Sequence, residues 1–144
     1  MSVLTYAVEE LKIDHIVVAG HTFCGGATHC YNSASKGPTS PAAANATPLS
    51  RWLNPLTDLA REQQQLSVAD VDVEDREKAI RALIEKNVVI QVRNVAKTSI
   101  VKEAWKKGRD VHVHGWVYEL ETGRLRDLEV SVSKSNAKEN GKLN

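Results

Sequence analysis

Ile13-Asp14-His15-Ile16-Val17-Val18-Ala19-Gly20 runs directly into His21-Thr22-Phe23-Cys24-Gly25-Gly26-Ala27, and this stretch decides the reading of the whole chain. Its first half is dense in β-branched and small apolar side chains, the pattern of a short strand buried on both faces. Gly20 ends that run. A histidine, a cysteine and two glycines then fall at the strand's C-terminal end, where open parallel α/β sheets bind their ligands. Imidazole and thiolate are donors that zinc favours, and a short loop turns both toward one point. Gly25 and Gly26 allow close backbone approach, and a helix opening there presents a positive dipole end that favours a thiolate at Cys24. His21 and Cys24 are therefore the candidate metal ligands, although two donors alone make a weak signal.

Upstream, Val3, Leu4, Ala7, Val8 and Leu11 have the spacing of an amphipathic helix, with Ser2 as its N-cap. Downstream, the Ser, Gly, Pro, Ala, Asn and Thr of Asn32–Thr47 read as a surface loop. Pro48 to about Leu66 reads as a helix broken or bent near Asn54-Pro55, because proline lacks the amide that continues the ladder. After turn-like residues 67–72, a helix starts near Val73 and carries Ile80, Leu83, Ile84, Val88, Gln91, Val92 and Val95 along one side. Ser99–Lys107 is a further short helix, stopped by Gly108. The period then changes. Val111, Val113, Gly115 and Val117 alternate with His112, His114, Trp116 and Tyr118, which is a strand, and Glu121-Thr122-Gly123 turns it back through Leu125, Leu128, Val130 and Val132. The polar tail of residues 133–144 reads as disordered. The expectation is one α/β domain over residues 1–144: a small parallel sheet flanked by helices, with a C-terminal antiparallel hairpin.

Composition narrows the function classes. Lys+Arg 19 against Asp+Glu 18 gives a net charge of +1, which supplies no field for nucleic acid or an anionic membrane. No apolar run reaches the roughly 20 residues of a membrane helix. Two cysteines, Cys24 and Cys30, are too few for a disulfide framework, so they read as thiols and the cytoplasm as the expected compartment.

Taken together, Ser2-Val3-Leu4, Tyr6-Ala7-Val8 and His15-Ile16-Val17-Val18-Ala19-Gly20-His21-Thr22-Phe23-Cys24-Gly25-Gly26 resemble the central motif of the β-class carbonic anhydrases. Asn87-Val88 with Gln91-Val92-Arg93-Asn94 resembles that family's long helix. Val113-His114-Gly115-Trp116-Val117-Tyr118, followed by Thr122-Gly123-Arg124-Leu125, resembles its C-terminal hairpin. The resemblance runs from about Ser2 to Val132, with the blocks in family order. It implies a zinc enzyme, a carbonate dehydratase, that reversibly hydrates CO2 to bicarbonate through a zinc-bound hydroxide, since zinc lowers the pKa of bound water from about 15.7 to about 7. By resemblance, His21 and Cys24 are metal ligands, Gly25 lies beside the substrate, and the chain forms a homodimer or higher oligomer.

The family's first zinc cysteine, together with an Asp/Arg dyad, comes from a Cys-x-Asp-x-Arg motif upstream of the Ser-Val-Leu helix. Only Met1 precedes Ser2 here, and no such motif occurs in the 144 residues. The expectation is thus a short member missing the first strands, with no catalytic residue of that dyad retained. The alternative function is an impaired remnant that acts by associating with intact relatives; a thiol redox role for Cys24 and Cys30 is weaker, for want of a CxxC spacing. Local substitutes for the missing donor are poorly aimed. At about 100° per helical residue, Cys30 lies roughly 240° and His29 roughly 140° around from Cys24. His112 and His114 share a strand face, a possible metal spacing, but packing roles suit them better, and His15 reads as a surface or hinge residue. Trp52, Trp105 and Trp116 read as core or interface anchors.

Overall fold

The computed structural model describes residues 2–35, 47–65 and 73–137. It opens with α1 (Ser2–Thr5), which widens into a π-helical turn over Tyr6–Glu10, where the Leu11 amide reaches back 3.0 Å to the Tyr6 carbonyl. Next come β1 (His15–His21) and α2 (Gly25–Ala34), then α3 (Pro48–Gln65), α4 (Val73–Ala96) and α5 (Ser99–Lys106). The chain closes with β2 (His112–Glu119) and β3 (Arg124–Asp127). The strands form one sheet in the order β1-β2-β3. Long helical crossovers separate β1 from β2, the connection that parallel neighbours require. The β2–β3 hairpin is antiparallel, with Trp116 opposite Asp127 and Glu119 opposite Arg124. This is the expected α/β class.

The chain divides into two compact units, residues 1–20 with 88–144 and residues 21–87. In the first, Val8, Ala104 and Val111 form a buried cluster, with Leu4, Ile13, Ile16, Ile100 and Trp105 packed against it. Trp105 anchors there as expected, its indole N–H donating 2.8 Å to the Val111 carbonyl. β2 alternates as its sequence requires: Val113, Gly115 and Val117 are buried while His112, His114 and Trp116 are half-buried. Gly115 is a glycine because of crowding, since an added Cβ would sit 2.7 Å from Val130 Cγ2 and 3.0 Å from Val92 Cγ2. In the second unit, α2 packs on α3, burying Ala27, Cys30, Tyr31 and Ala34 on one and Thr57, Leu59 and Ala60 on the other. The apolar stripe of α4 falls where its period puts it, with Leu83 and Val92 fully buried. Gly108 takes φ +88°, the left-handed conformation that stops α5.

Several expectations need correction. α2 runs to Ala34, three residues into the stretch read as a loop, and the return strand is β3 only as far as Asp127, with Val132 joined to Val113 by an isolated bridge. β1 is not buried on both faces: its residues alternate between exposed and half-buried, with Val17 42% exposed. The exposed residues all lie on one face, which lacks a covering layer among the described residues, and with β2 as its single described neighbour β1 also has an open edge there. It also extends one residue past Gly20, to His21. α3 is not broken at Asn54-Pro55, for the helix continues through Pro55. One missing ladder bond is outweighed by the packing of Thr57, Leu59 and Ala60 beyond it. Trp52 lies outside the core, 75% exposed in the second turn of α3 ahead of those buried residues, which removes the core half of its reading as a core or interface anchor. The tail does not fray at once after Ser133. Asn136 Oδ1 accepts from the Ser133 amide at 2.8 Å and its Nδ2 donates to the Ser131 carbonyl at 3.0 Å. The central part of the expected 32–47 loop, the turn at 67–72 and residues 138–144 lie outside the described residues.

Candidate metal centre

His21 is the last residue of β1 and Cys24 is the N-cap of α2, so both candidate ligands sit at a strand-to-helix junction with two residues between them. The junction is tight. Thr22 is buried, whereas Phe23 takes φ 53°, a left-handed conformation that costs a bulky side chain of order 1–3 kcal/mol. The Phe23 ring stays 63% exposed, and the Arg81 guanidinium lies 5.8 Å from its centroid, a cation–π contact. Phe23, Thr28, Arg76, Glu77, Ile80, Arg81 and Ile84 line a small open cavity of about 110 Å³.

Orientation of the His21 ring is fixed by its neighbour. Its Nδ1 lies 2.8 Å from the Thr22 backbone carbonyl. A carbonyl only accepts, so Nδ1 carries the hydrogen and Nε2 is left with its lone pair. This is the arrangement by which metal-binding histidines are set: the second nitrogen donates to a carbonyl or carboxylate and the first keeps its donor pair. Sequence reasoning missed this role of Thr22, since a backbone carbonyl leaves no trace in residue identity. Cys24 is a free, half-buried thiol. Its backbone adopts φ −67°, ψ 111°, and its side chain caps no amide, so the sulfur is not spent on the helix it precedes. The first turn of α2 points its unpaired amides at the same end. Gly25 opens that helix exposed, and a Cβ placed on it would meet nothing within 4 Å, so the space beside its backbone is open.

Cys30 is excluded as a stand-in donor. It is fully buried, its sulfur lies 3.8 Å from the Leu53 carbonyl, and burial pushes its thiol up, which keeps it protonated and inert. His29 is exposed on α2. His15, His112 and His114 gather instead on the sheet, with His15 packed between the other two. Among the described residues, no group of three or more His, Cys, Asp or Glu side chains is arranged to hold a metal ion. The two candidate donors at the junction are of the kinds zinc favours, and together they would fill half of the four positions that zinc takes.

The carbonic anhydrase family profile matches residues 1–125. A carbonic anhydrase of Emericella nidulans is 35% identical over 130 residues, which cover 90% of this chain and 51% of that relative. A solved β-carbonic anhydrase of Aspergillus fumigatus superposes with a TM-score of 0.68 at 30% identity, over 96% of this chain and 59% of the other. The tetrameric β-carbonic anhydrases of Sordaria macrospora share the fold, with a TM-score of 0.65 at 24% identity over 91% of this chain and 60% of theirs. The chain spans about half the length of the curated relatives it matches. With the family profile spanning most of its residues and the fold matching solved relatives, the chain belongs to the β-class carbonic anhydrases.

Proposed function

We propose that this chain carries the histidine-and-cysteine half of a carbonic anhydrase zinc centre, and so takes part in the reversible hydration of CO2 to bicarbonate. The observation that carries the reading is the 2.8 Å bond from His21 Nδ1 to the Thr22 carbonyl, which leaves Nε2 for a metal three residues before a free thiol at a helix N-terminus. His21 Nε2 and Cys24 Sγ would hold the ion. Zinc, when bound, supplies Lewis-acid activation of water. Thr22 holds the imidazole tautomer, α2 offers its positive end to negative charge, and the open flank of Gly25 leaves room for a small planar substrate beside the backbone.

Tetrameric relatives in the family support a homo-oligomer as the assembled form. No helix among the described residues is long and apolar enough to cross a membrane, and the +1 charge offers nucleic acid no footprint. We propose the cytoplasm as its compartment.

Stopped-flow CO2 hydration by the zinc-supplemented chain tests the reading: turnover above buffer that disappears in His21→Ala supports it, and a buffer-level rate removes activity from the chain by itself. One observation favours a second reading, in which the chain modulates intact relatives without turnover: no third donor joins the pair among the described residues. Co-purification of the chain with a complete family member, altering that enzyme's rate, separates this reading from the first.

A further inference from the structure

Three imidazoles from two neighbouring strands form a cluster that the zinc reading does not use. His15 begins β1; His112 and His114 stand on one face of β2. The rings stack in near-parallel planes, with centroids 5.2 Å apart for His15 with His112, 5.2 Å for His15 with His114 and 6.0 Å for His112 with His114. His15 Nδ1 lies 2.9 Å from His114 Nε2, and His114 Nδ1 lies 2.8 Å from the Ser131 hydroxyl. Asp110 Oδ2 lies 3.2 Å from His112 Nε2, and Asp127 of β3 acts on His114 through its charge.

We propose that the His15–His114 hydrogen bond is an acid-released clasp that fastens the start of β1 to β2. Its proton accounting makes it one-sided. A bond between two ring nitrogens needs one N–H and one bare lone pair. A hydroxyl serves in either sense, and the clasp assigns Ser131 as acceptor from His114 Nδ1–H, so that Nε2 of His114 is bare and accepts from His15 Nδ1–H. That bond survives a proton on the exposed His15 ring, since both its nitrogens then donate. It fails when His114 itself takes a second proton, because N–H then faces N–H. The cluster delays this event: burial, then the charges of His15 and His112, oppose the cationic form of His114, with Asp127 acting in the opposite sense. Below the transition a cationic His114 ring stands against its stacked neighbours across the β1–β2 seam, where Asp110 lies beside His112 and Asp127 acts on His114. The strand so loosened is the one that ends at His21.

Hydrogen exchange followed by NMR on the intact chain tests the clasp without reference to zinc. The reporter is the His112 amide, which donates 2.8 Å to the Asp14 carbonyl beside the clasp. Corrected for intrinsic rates, its protection is expected to hold down to about pH 6.5 and to fall about tenfold as pH drops further, in step with the His114 ring resonances. In His114→Gln the fall is absent. Equal falls in wild type and His114→Gln, or a His114 ring titrating at or above the ordinary histidine range, overturn the proposal. If His114→Gln does not fold, His15→Asn decides. Low protection already at neutral pH, without further loss in acid, supports the clasp; a wild-type profile overturns it.

Discussion

Arg109 ties together backbone groups nearly a hundred residues away: its Nη2 donates 2.7 Å to the Ile13 carbonyl and lies 3.2 Å from Asp14 Oδ1, while Nη1 donates to the Val8 carbonyl. These carbonyls flank the turn between the π-helical segment and β1, where Lys12 takes φ 56°. The guanidinium fork thus sets the angle at which β1 enters the sheet. Hydrogen bonds from a charged donor contribute about 1.5–3 kcal/mol each, and solvent around the partly exposed Arg109 lowers the sum. Arg109→Ala is expected to lower unfolding free energy by about 2–3 kcal/mol in urea titration. Asp14→Asn, which removes only an exposed ion pair, should cost less than about 1 kcal/mol.

Gly115 predicts a loss of the opposite kind, from excess volume. A Cβ there meets Val130, Val92 and Val88 at 2.7, 3.0 and 3.1 Å. These are branched side chains with little freedom to turn away. Gly115→Ala should destabilise by about 1–3 kcal/mol, read as a lower thermal midpoint. A neutral result would mean that the α4–β2 contact gives way more easily than close packing allows.

Stability should also depend on pH through His114. Burial and the neighbouring imidazoles hold its value in the folded chain below the ordinary one of about 6.5, so the unfolded chain binds this proton more readily. The contribution is therefore complete above about pH 6.5 and is lost as pH falls through the folded-state value. The urea midpoint should drop in that window more for wild type than for His114→Gln; parallel curves would reject the linkage.

The two cysteines should separate cleanly. Cys24→Ser is expected to weaken zinc binding by at least about tenfold in chelator competition, with little change in stability. Cys30→Ser should leave zinc affinity unchanged, while exchanging a fully buried sulfur for a smaller, more polar hydroxyl at a cost of about 1–3 kcal/mol.

Much of this was legible in the sequence wherever the signal is local. The period-2 pattern of β2, the stripe of α4 and the stop at Gly108 depend on neighbours within a few residues, and each element lies where it was read. The helix opening at Gly25, just after Cys24, was readable for the same reason. Burial of β1 was not, because Ile16, Val17 and Val18 look alike whether or not another layer covers them. Continuation of α3 through Pro55 was equally hidden, since it depends on packing farther along that helix. His15 meets His114 across 99 positions of sequence, a distance no periodicity spans. His112 and His114 showed a shared face, and only the sheet supplies their partner.

Zinc K-edge X-ray absorption of the metal-loaded chain addresses the junction most directly. Coordination by Cys24 and His21 predicts one sulfur shell at about 2.3 Å and a nitrogen shell at about 2.0 Å, with the sulfur shell absent in Cys24→Ser and kept in Cys30→Ser. A sulfur shell that persists in Cys24→Ser, or a wild-type spectrum of oxygen and nitrogen alone, would contradict the assignment.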